Sequence, residues 1–204
     1  MIKSKYKIAR KLGPQVFDKT QTQKYALRAA RRKPVMRKNS RPKTDFGLQL
    51  LEKQKAKMTY GLRERQFATY IKTISEKKVP NTSEKLMELL ERRLDNVVYR
   101  LGLTNSRQFS RQVVSHGHIL VNGKPVNIPS YTVKAGDVVE VKEISKKLIV
   151  IKDALKEVTK SGTYPWISLD ADALKGTFVS VPRRADVVDL ADVKEQLIVE
   201  LYSK

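Results

Sequence analysis

The sequence predicts an α+β fold: a mainly helical domain with a basic N-terminal arm, interrupted by a small inserted module in which two helices pack on a short sheet. Three observations predict it. Over positions 44–114 apolar residues recur at three- and four-residue spacing, the period of amphipathic helices. Val-rich runs then flank Asn122-Gly123, a dipeptide whose tolerance of positive φ makes it a strong hairpin signal. Helical spacing returns over Asp192–Tyr202, where Val193, Leu197, Ile198 and Leu201 fall on one face.

Residues 1–43 hold Pro14, Pro34 and Pro42 among scattered apolar side chains such as Ile8, Leu12, Phe17, Tyr25 and Leu27, too few for a core of their own. The stretch Gln21–Arg32 has helix-forming composition, and basic segments of this kind order against nucleic acid; the segment reads as an arm. Thr44 or Asp45 can cap a helix carrying Leu48, Leu50 and Leu51 that ends near Gly61. A second helix is predicted over Arg63–Lys77, with Phe67, Tyr70, Ile71 and Ile74 inward and Arg63, Arg65 and Lys72 outward, before Pro80 and Asn81 close the unit. After Thr82-Ser83, one amphipathic helix is expected to run to Gly102, with Leu86, Leu89, Leu90, Leu94, Val97, Val98 and Leu101 as a single stripe. A shorter helix follows, capped by Thr104, Asn105 or Ser106, turning Phe109, Val113 and Val114 inward and stopping at Gly117. The run ILVNGKPV is the hairpin, and Val138, Val139 and Val141 supply a further strand. Ile149, Val150, Ile151 and Leu155 read as a strand or short helix returning to the core, and TYPWISLD as a loop with Trp166 as a packing anchor. The expected division is 1–43 arm, 44–90 with 143–204 helical domain, and 91–142 module.

The chain carries 42 Lys and Arg against 21 Asp and Glu, a net charge of +21. The net falls along the chain, from +15 over residues 1–60 to +6 over 61–142 and 0 over 143–204. Charge this large and this polarised calls for a polyanionic partner facing the first half. With no Cys, disulfides, iron–sulfur clusters, Cys-rich zinc sites and thiol catalysis are excluded. His116 and His118 alone do not make a metal site, so neither metal nor other cofactor is expected. Apolar runs fall far short of the roughly 20 residues that span a bilayer, and no secretory core follows the N-terminus. A cytoplasmic protein without a membrane partner is expected.

The polar residues of the module fall where an anion could use them. Arg93, Asn96 and Arg100 lie on its first helix, Ser106, Arg107, Arg111 and Gln112 on the second, and His116, Asn122 and Lys124 follow toward the hairpin tip. Arg63 and Arg65 add to them from the preceding domain. Arg107 and Arg111 are one turn apart opposite Phe109 and Val113, so two guanidinium forks are expected to point outward and engage phosphates. The competing reading makes these solubilising arginines with Glu91 and Asp95 as local partners. The second helix has no acidic residue of its own to pair with, which favours RNA.

The segment RRLDNVVYRLGLTNSRQFSRQVVSHGHILVNGKPVNIPSYTVKAGDVVEV resembles the RNA-binding module named after small-subunit ribosomal protein S-four. LQLLEKQKAKMTYGLRERQF upstream, and PWISLD, LKGTF and EQLIVELYSK downstream, resemble the segments surrounding the module in that ribosomal family, in its Cys-free, metal-free form. Together these cover most of positions 44–204. The resemblance implies a structural constituent of the small ribosomal subunit. It would be a primary binder of small-subunit (16S-type) rRNA that nucleates assembly of the 5′ domain and body. It also implies S-five and S-three family proteins as neighbours, a place where mRNA enters, and an influence on decoding accuracy. Arg37, Lys38, Arg41 and Lys43, just before the first matching segment, are the candidates for facing mRNA.

Catalysis needs a nucleophile with a base, paired carboxylates in a pocket or a phosphate loop, and none is legible; the chain is not expected to be an enzyme. The best enzyme alternative is a pseudouridine synthase, since Arg93-Leu94-Asp95 repeats an arginine-leucine-aspartate of that active site, but Asn96-Val97-Val98 continues a helix instead of the threonine-serine-glycine turn of those enzymes. A free RNA-quality-control factor would share the module but lacks the flanking segments.

Overall fold

The computed structural model describes residues 4–31, 44–77, 81–147 and 164–203. It divides into two units, Met1–Ser83 with Val188–Lys204, and Glu84–Val187.

In the first unit, Thr44 starts the longest helix because its hydroxyl accepts the Gly47 N–H (3.2 Å), satisfying one of the donors left over at a helix start. That helix is α3 (Asp45–Thr59); α1 (Lys5–Leu12) and α2 (Gln23–Ala30) precede it, and α4 (Glu64–Glu76) follows. α3 and α4 pack against α8 (Glu195–Tyr202), and α1 packs on α3. Ala9, Leu12, Val16 and Thr20 are buried, so the first part of the arm adds to the interior of this unit, whereas α2 buries no residue. α4 follows the expected pattern, with Phe67, Ile71 and Ile74 buried.

α3 departs from its predicted apolar face. Leu48 is 40% exposed, while Gln49, Glu52, Lys53 and Lys57 are buried. These polar side chains go inward because each has partners there. Lys53 and Lys57 both donate to Glu64 of α4, Lys57 at 2.6 Å, and Glu52 accepts from Lys55 (2.8 Å) and the Lys194 N–H (3.1 Å).

The second unit holds most of α5 (Thr82–Glu91), α6 (Leu94–Arg100), α7 (Arg107–Ser115) and five strands. The sequence predicts one helix where α5 and α6 stand. The chain breaks at Arg93, which adopts φ −66°, ψ 135° and bridges Thr132. The Leu94 and Asp95 N–H groups donate to the Tyr131 and Pro129 carbonyls (2.9 and 3.1 Å), and the Val133 N–H donates to the Arg92 carbonyl (2.8 Å). Partners from a distant stretch of chain thus replace the bonds that would have continued the helix.

β1 (Ile119–Val121) and β2 (Lys124–Pro125) form the predicted hairpin, with Asn122 at φ 50° and Gly123 at φ 75°, the signs a type I′ turn requires. β3 (Val138–Val141) lies beside β1 and pairs on its other edge with β5 (Lys175–Phe178), which pairs with β4 (Ile167–Asp170). The order is β2-β1-β3-β5-β4, antiparallel throughout.

One expectation is corrected here: TYPWISLD supplies an edge strand instead of a loop. The compact unit that contains residues 91–142 runs from Glu84 to Val187 and takes in this strand. The reason is shared burial: Trp166, Ile167, Leu174 and Phe178 belong to the same core as Leu94, Val98, Leu101, Val114, Ile119 and Val139. Gly176 is where β5 meets α6, since a Cβ there would lie 2.1 Å from the Leu101 Cδ2. The helix or strand predicted around Ile149, Val150, Ile151 and Leu155 lies outside the described residues.

Candidate nucleic-acid interface

α6 and α7 bring most of the predicted module residues together. α7 begins at Ser106, whose hydroxyl accepts the Phe109 N–H (3.4 Å). It ends in a Schellman turn: the Gly117 N–H donates to Val114 (2.9 Å) and the His118 N–H to Val113 (3.2 Å), with Gly117 at φ 74°. Val113 and Val114 point into the core and pin the helix, so its arginines sit at fixed places relative to α6.

Two carboxylates organise those arginines. Glu91 accepts from Arg100 through Nε (3.0 Å) and Nη2 (2.8 Å), and from Asn96 Nδ2 (2.8 Å). Asn96 Oδ1 in turn accepts the Arg107 Nε–H (2.9 Å), and the Arg107 guanidinium lies over the Tyr99 ring at 4.4 Å. Arg100 packs against Tyr164 at 4.7 Å and Trp166 at 5.9 Å. Asp95 accepts from Arg93 through Nε (3.0 Å) and Nη2 (2.8 Å), and from Arg111 through Nε (2.9 Å) and Nη2 (2.8 Å). Such charge-assisted forks are the strong hydrogen bonds of a low-dielectric interior.

Burial grades across the group. Arg93, Asn96 and Arg100 are each 2% exposed and Arg107 9%, while the Arg111 side chain keeps 32%. The outward pair of forks expected for Arg107 and Arg111 is therefore corrected. Arg107 is folded back onto Asn96 and Tyr99, and Arg111 finds on α6 the carboxylate that α7 lacks. Glu91 and Asp95 are arginine partners, Glu91 of Arg100 and Asp95 of Arg93 and Arg111, while Arg92 turns to Glu88 (2.7 Å) and the Val133 carbonyl (3.0 Å). Burial raises the Glu88 carboxyl's proton affinity, but hydrogen bonds from Lys85 and Arg92 outweigh it, and its pKa is lowered.

Most of the remaining candidates are exposed. Gln112, His116, Asn122 and Lys124 face solvent and Ser106 is half-buried. Asn122 is held by Asp137 (2.9 Å) and by the Val138 N–H (2.9 Å). His116 stands 6.0 Å from His118 between ring centroids, and His118 Nδ1 meets the Ser145 hydroxyl at 2.8 Å. Arg63 and Arg65 are exposed on the first unit. Arg37, Lys38, Arg41 and Lys43 lie outside the described residues. Tyr99, Tyr164 and Trp166 support guanidiniums in a way that sequence reasoning missed; aromatic residues interleaved with arginine were the available signal.

Among the described residues no helix is long and apolar enough to cross a membrane, and no group of three or more His, Asp or Glu is placed to hold a metal ion.

A two-helix module on an antiparallel sheet, with arginines gathered where α6 meets α7 and Arg111 reaching the surface, is the architecture of an RNA-binding class. Residues 92–139 match the S4 domain, and residues 1–91 match the ribosomal protein S4/S9 N-terminal domain. Relatives extend the match through the C-terminal segment. Small ribosomal subunit protein uS4 of Parabacteroides distasonis is 48% identical over 202 residues, 97% of this chain and 96% of its own length. That of Pelobacter propionicus is 47% identical over 188 residues, 92% and 89%, and that of Hahella chejuensis 53% over 161, 79% and 77%. The chain belongs to the small ribosomal subunit protein uS4 family.

Proposed function

We propose that the chain is a structural, non-enzymatic constituent of the small ribosomal subunit that binds 16S-type rRNA early and holds a helical junction of its 5′ domain in one arrangement. The observation that carries this is the identity of nearly half the residues with a small-subunit protein along almost the whole chain. The module alone would be compatible with several RNA partners. Chemistry supports the reading. A net charge of +21 releases counterions from closely spaced phosphates, and exposed Asn and Gln can reach sugars and unpaired bases. Recognition then follows RNA shape more than duplex sequence.

The finer parts of the reading are a cytoplasmic place in the ribosome, uS5- and uS3-family neighbours, and an influence on decoding accuracy. Arg37, Lys38, Arg41 and Lys43 would face mRNA where it enters, and Arg63, Arg65, Arg93, Asn96, Arg100, Ser106, Arg107, Arg111, Gln112, His116, Asn122 and Lys124 would make or organise the rRNA contacts. In-cell crosslinking followed by sequencing of the bound RNA tests it. Reads concentrated at one 5′-domain site of small-subunit rRNA are expected. Reads on tRNA or on large-subunit rRNA would contradict the assignment.

A further inference from the structure

We propose that Asp95 is a positioning residue for RNA binding, holding the Arg111 guanidinium in the orientation that meets a phosphate; this rests on the rRNA-binding reading of the module. A carboxylate at an RNA-facing surface should oppose binding, so its place there needs a physical account. The Asp95 side chain is only 5% exposed and lies between a buried arginine and a partly exposed one. On the inner side stands Arg93, 3% exposed at its side chain. Its backbone is fixed by the bridge to Thr132, and its fork grips both Asp95 oxygens, Nε on Oδ1 at 3.0 Å and Nη2 on Oδ2 at 2.8 Å. On the outer side, Oδ2 accepts Nε (2.9 Å) and Nη2 (2.8 Å) of Arg111, 32% exposed. Rigidity is handed from the core through Arg93 and Asp95 to a guanidinium at the surface.

The consequence for binding is preorganisation. A free arginine side chain populates many rotamers, and ordering it at an interface subtracts from affinity. Two hydrogen bonds to one carboxylate oxygen set the plane of the Arg111 fork before RNA arrives. The Arg93 guanidinium engages both Asp95 oxygens, which offsets the negative charge a phosphate would meet.

Charge and position predict opposite signs, which makes the proposal testable. Full-length chains would be titrated with a transcript of the small-subunit rRNA 5′ domain and with poly(U). Asp95→Asn adds one net positive charge, yet it is expected to bind the transcript roughly tenfold more weakly and poly(U) no more weakly. In an Arg111→Ala background, Asp95→Asn is expected to cost nothing further. Tighter binding to both RNAs would overturn the proposal, because Asp95 would then merely neutralise charge. An equal loss in both Arg111 backgrounds would overturn it in favour of a structural role. Should Asp95→Asn not melt cooperatively, Asp95→Glu keeps the charge and shifts the carboxylate. Weaker transcript binding then supports the proposal and wild-type affinity overturns it. A wild-type chain without preference for the transcript would overturn the underlying reading, whereas an intact preference in Asp95→Asn overturns only the positioning role.

Discussion

Glu91 and Arg100 form a two-point ion pair sealed from water, Nε to Oε2 at 3.0 Å and Nη2 to Oε1 at 2.8 Å, with side-chain exposures of 0% and 1%. Breaking a pair of this kind strands a charge in a low dielectric, at a cost of about 3–5 kcal/mol. Glu91→Ala is therefore expected to lower the urea midpoint sharply, and the double substitution Glu91→Met, Arg100→Met to recover part of the loss. A midpoint unmoved by Glu91→Ala would contradict the burial of this pair.

The helix–sheet joint is open to a second test. A Cβ on Gly176 would fall 2.1 Å from the Leu101 Cδ2, and Leu101 is fully buried in the core. Gly176→Val should cost about 1–3 kcal/mol by overpacking. Adding Leu101→Ala should make the combined loss smaller than the sum of the two single losses, as a coupled pair requires. Strict additivity in urea unfolding would place the two residues apart.

Acid sensitivity of the helical unit should centre on Glu64. Burial raises its pKa, but hydrogen bonds from Lys53, Lys57 and Tyr202 more than reverse this and bring it from 4.5 down to about 2. A carboxyl with a depressed folded-state pKa stabilises fully above its unfolded value and loses that contribution as pH falls. Comparison of wild type with Glu64→Gln should reveal a stability difference that is constant above pH 4.5 and shrinks between 4.5 and about 2. Its size will be moderated by solvent screening, since the Glu64 side chain is 48% exposed. A difference that grows on acidification would contradict the hydrogen-bonded carboxylate.

On the RNA side, Arg107→Ala with Arg111→Ala is expected to weaken rRNA binding and to reduce the slope of log K against log salt by about one unit for each phosphate no longer engaged. Of the two, Arg111→Ala should account for most of the slope, because Arg107 is 9% exposed and committed to Asn96 and Tyr99. Filter binding at several salt concentrations checks this, with thermal melting to confirm the fold. An unchanged isotherm would remove both from the interface.

Local chemistry was legible in the sequence. Asn122-Gly123 specified the hairpin and Gly117 the end of α7, and the caps were narrowed to Thr44 or Asp45 and to Thr104, Asn105 or Ser106, of which Thr44 and Ser106 serve, because each depends on groups a few residues away. What required distant partners was not legible. The apolar stripe from Leu86 to Leu101 continues across the break at Arg93, which is decided by Tyr131, Pro129 and Val133. The strand Ile167–Asp170 is short and follows closely on Pro165, so only its pairing with β5 gives it away. At the site, residue types pointed to the right helices, but which arginine turns inward depends on Asp95 and Asn96 of α6 meeting Arg111 and Arg107 of α7, partners that local helical spacing does not reveal.

The most direct test of rRNA recognition is the affinity of the full-length chain for a transcript of the 5′ domain of small-subunit rRNA, measured across salt with poly(U) as competitor. Binding that weakens steeply with salt yet survives excess competitor is expected. Competition by poly(U) at equal affinity would contradict it.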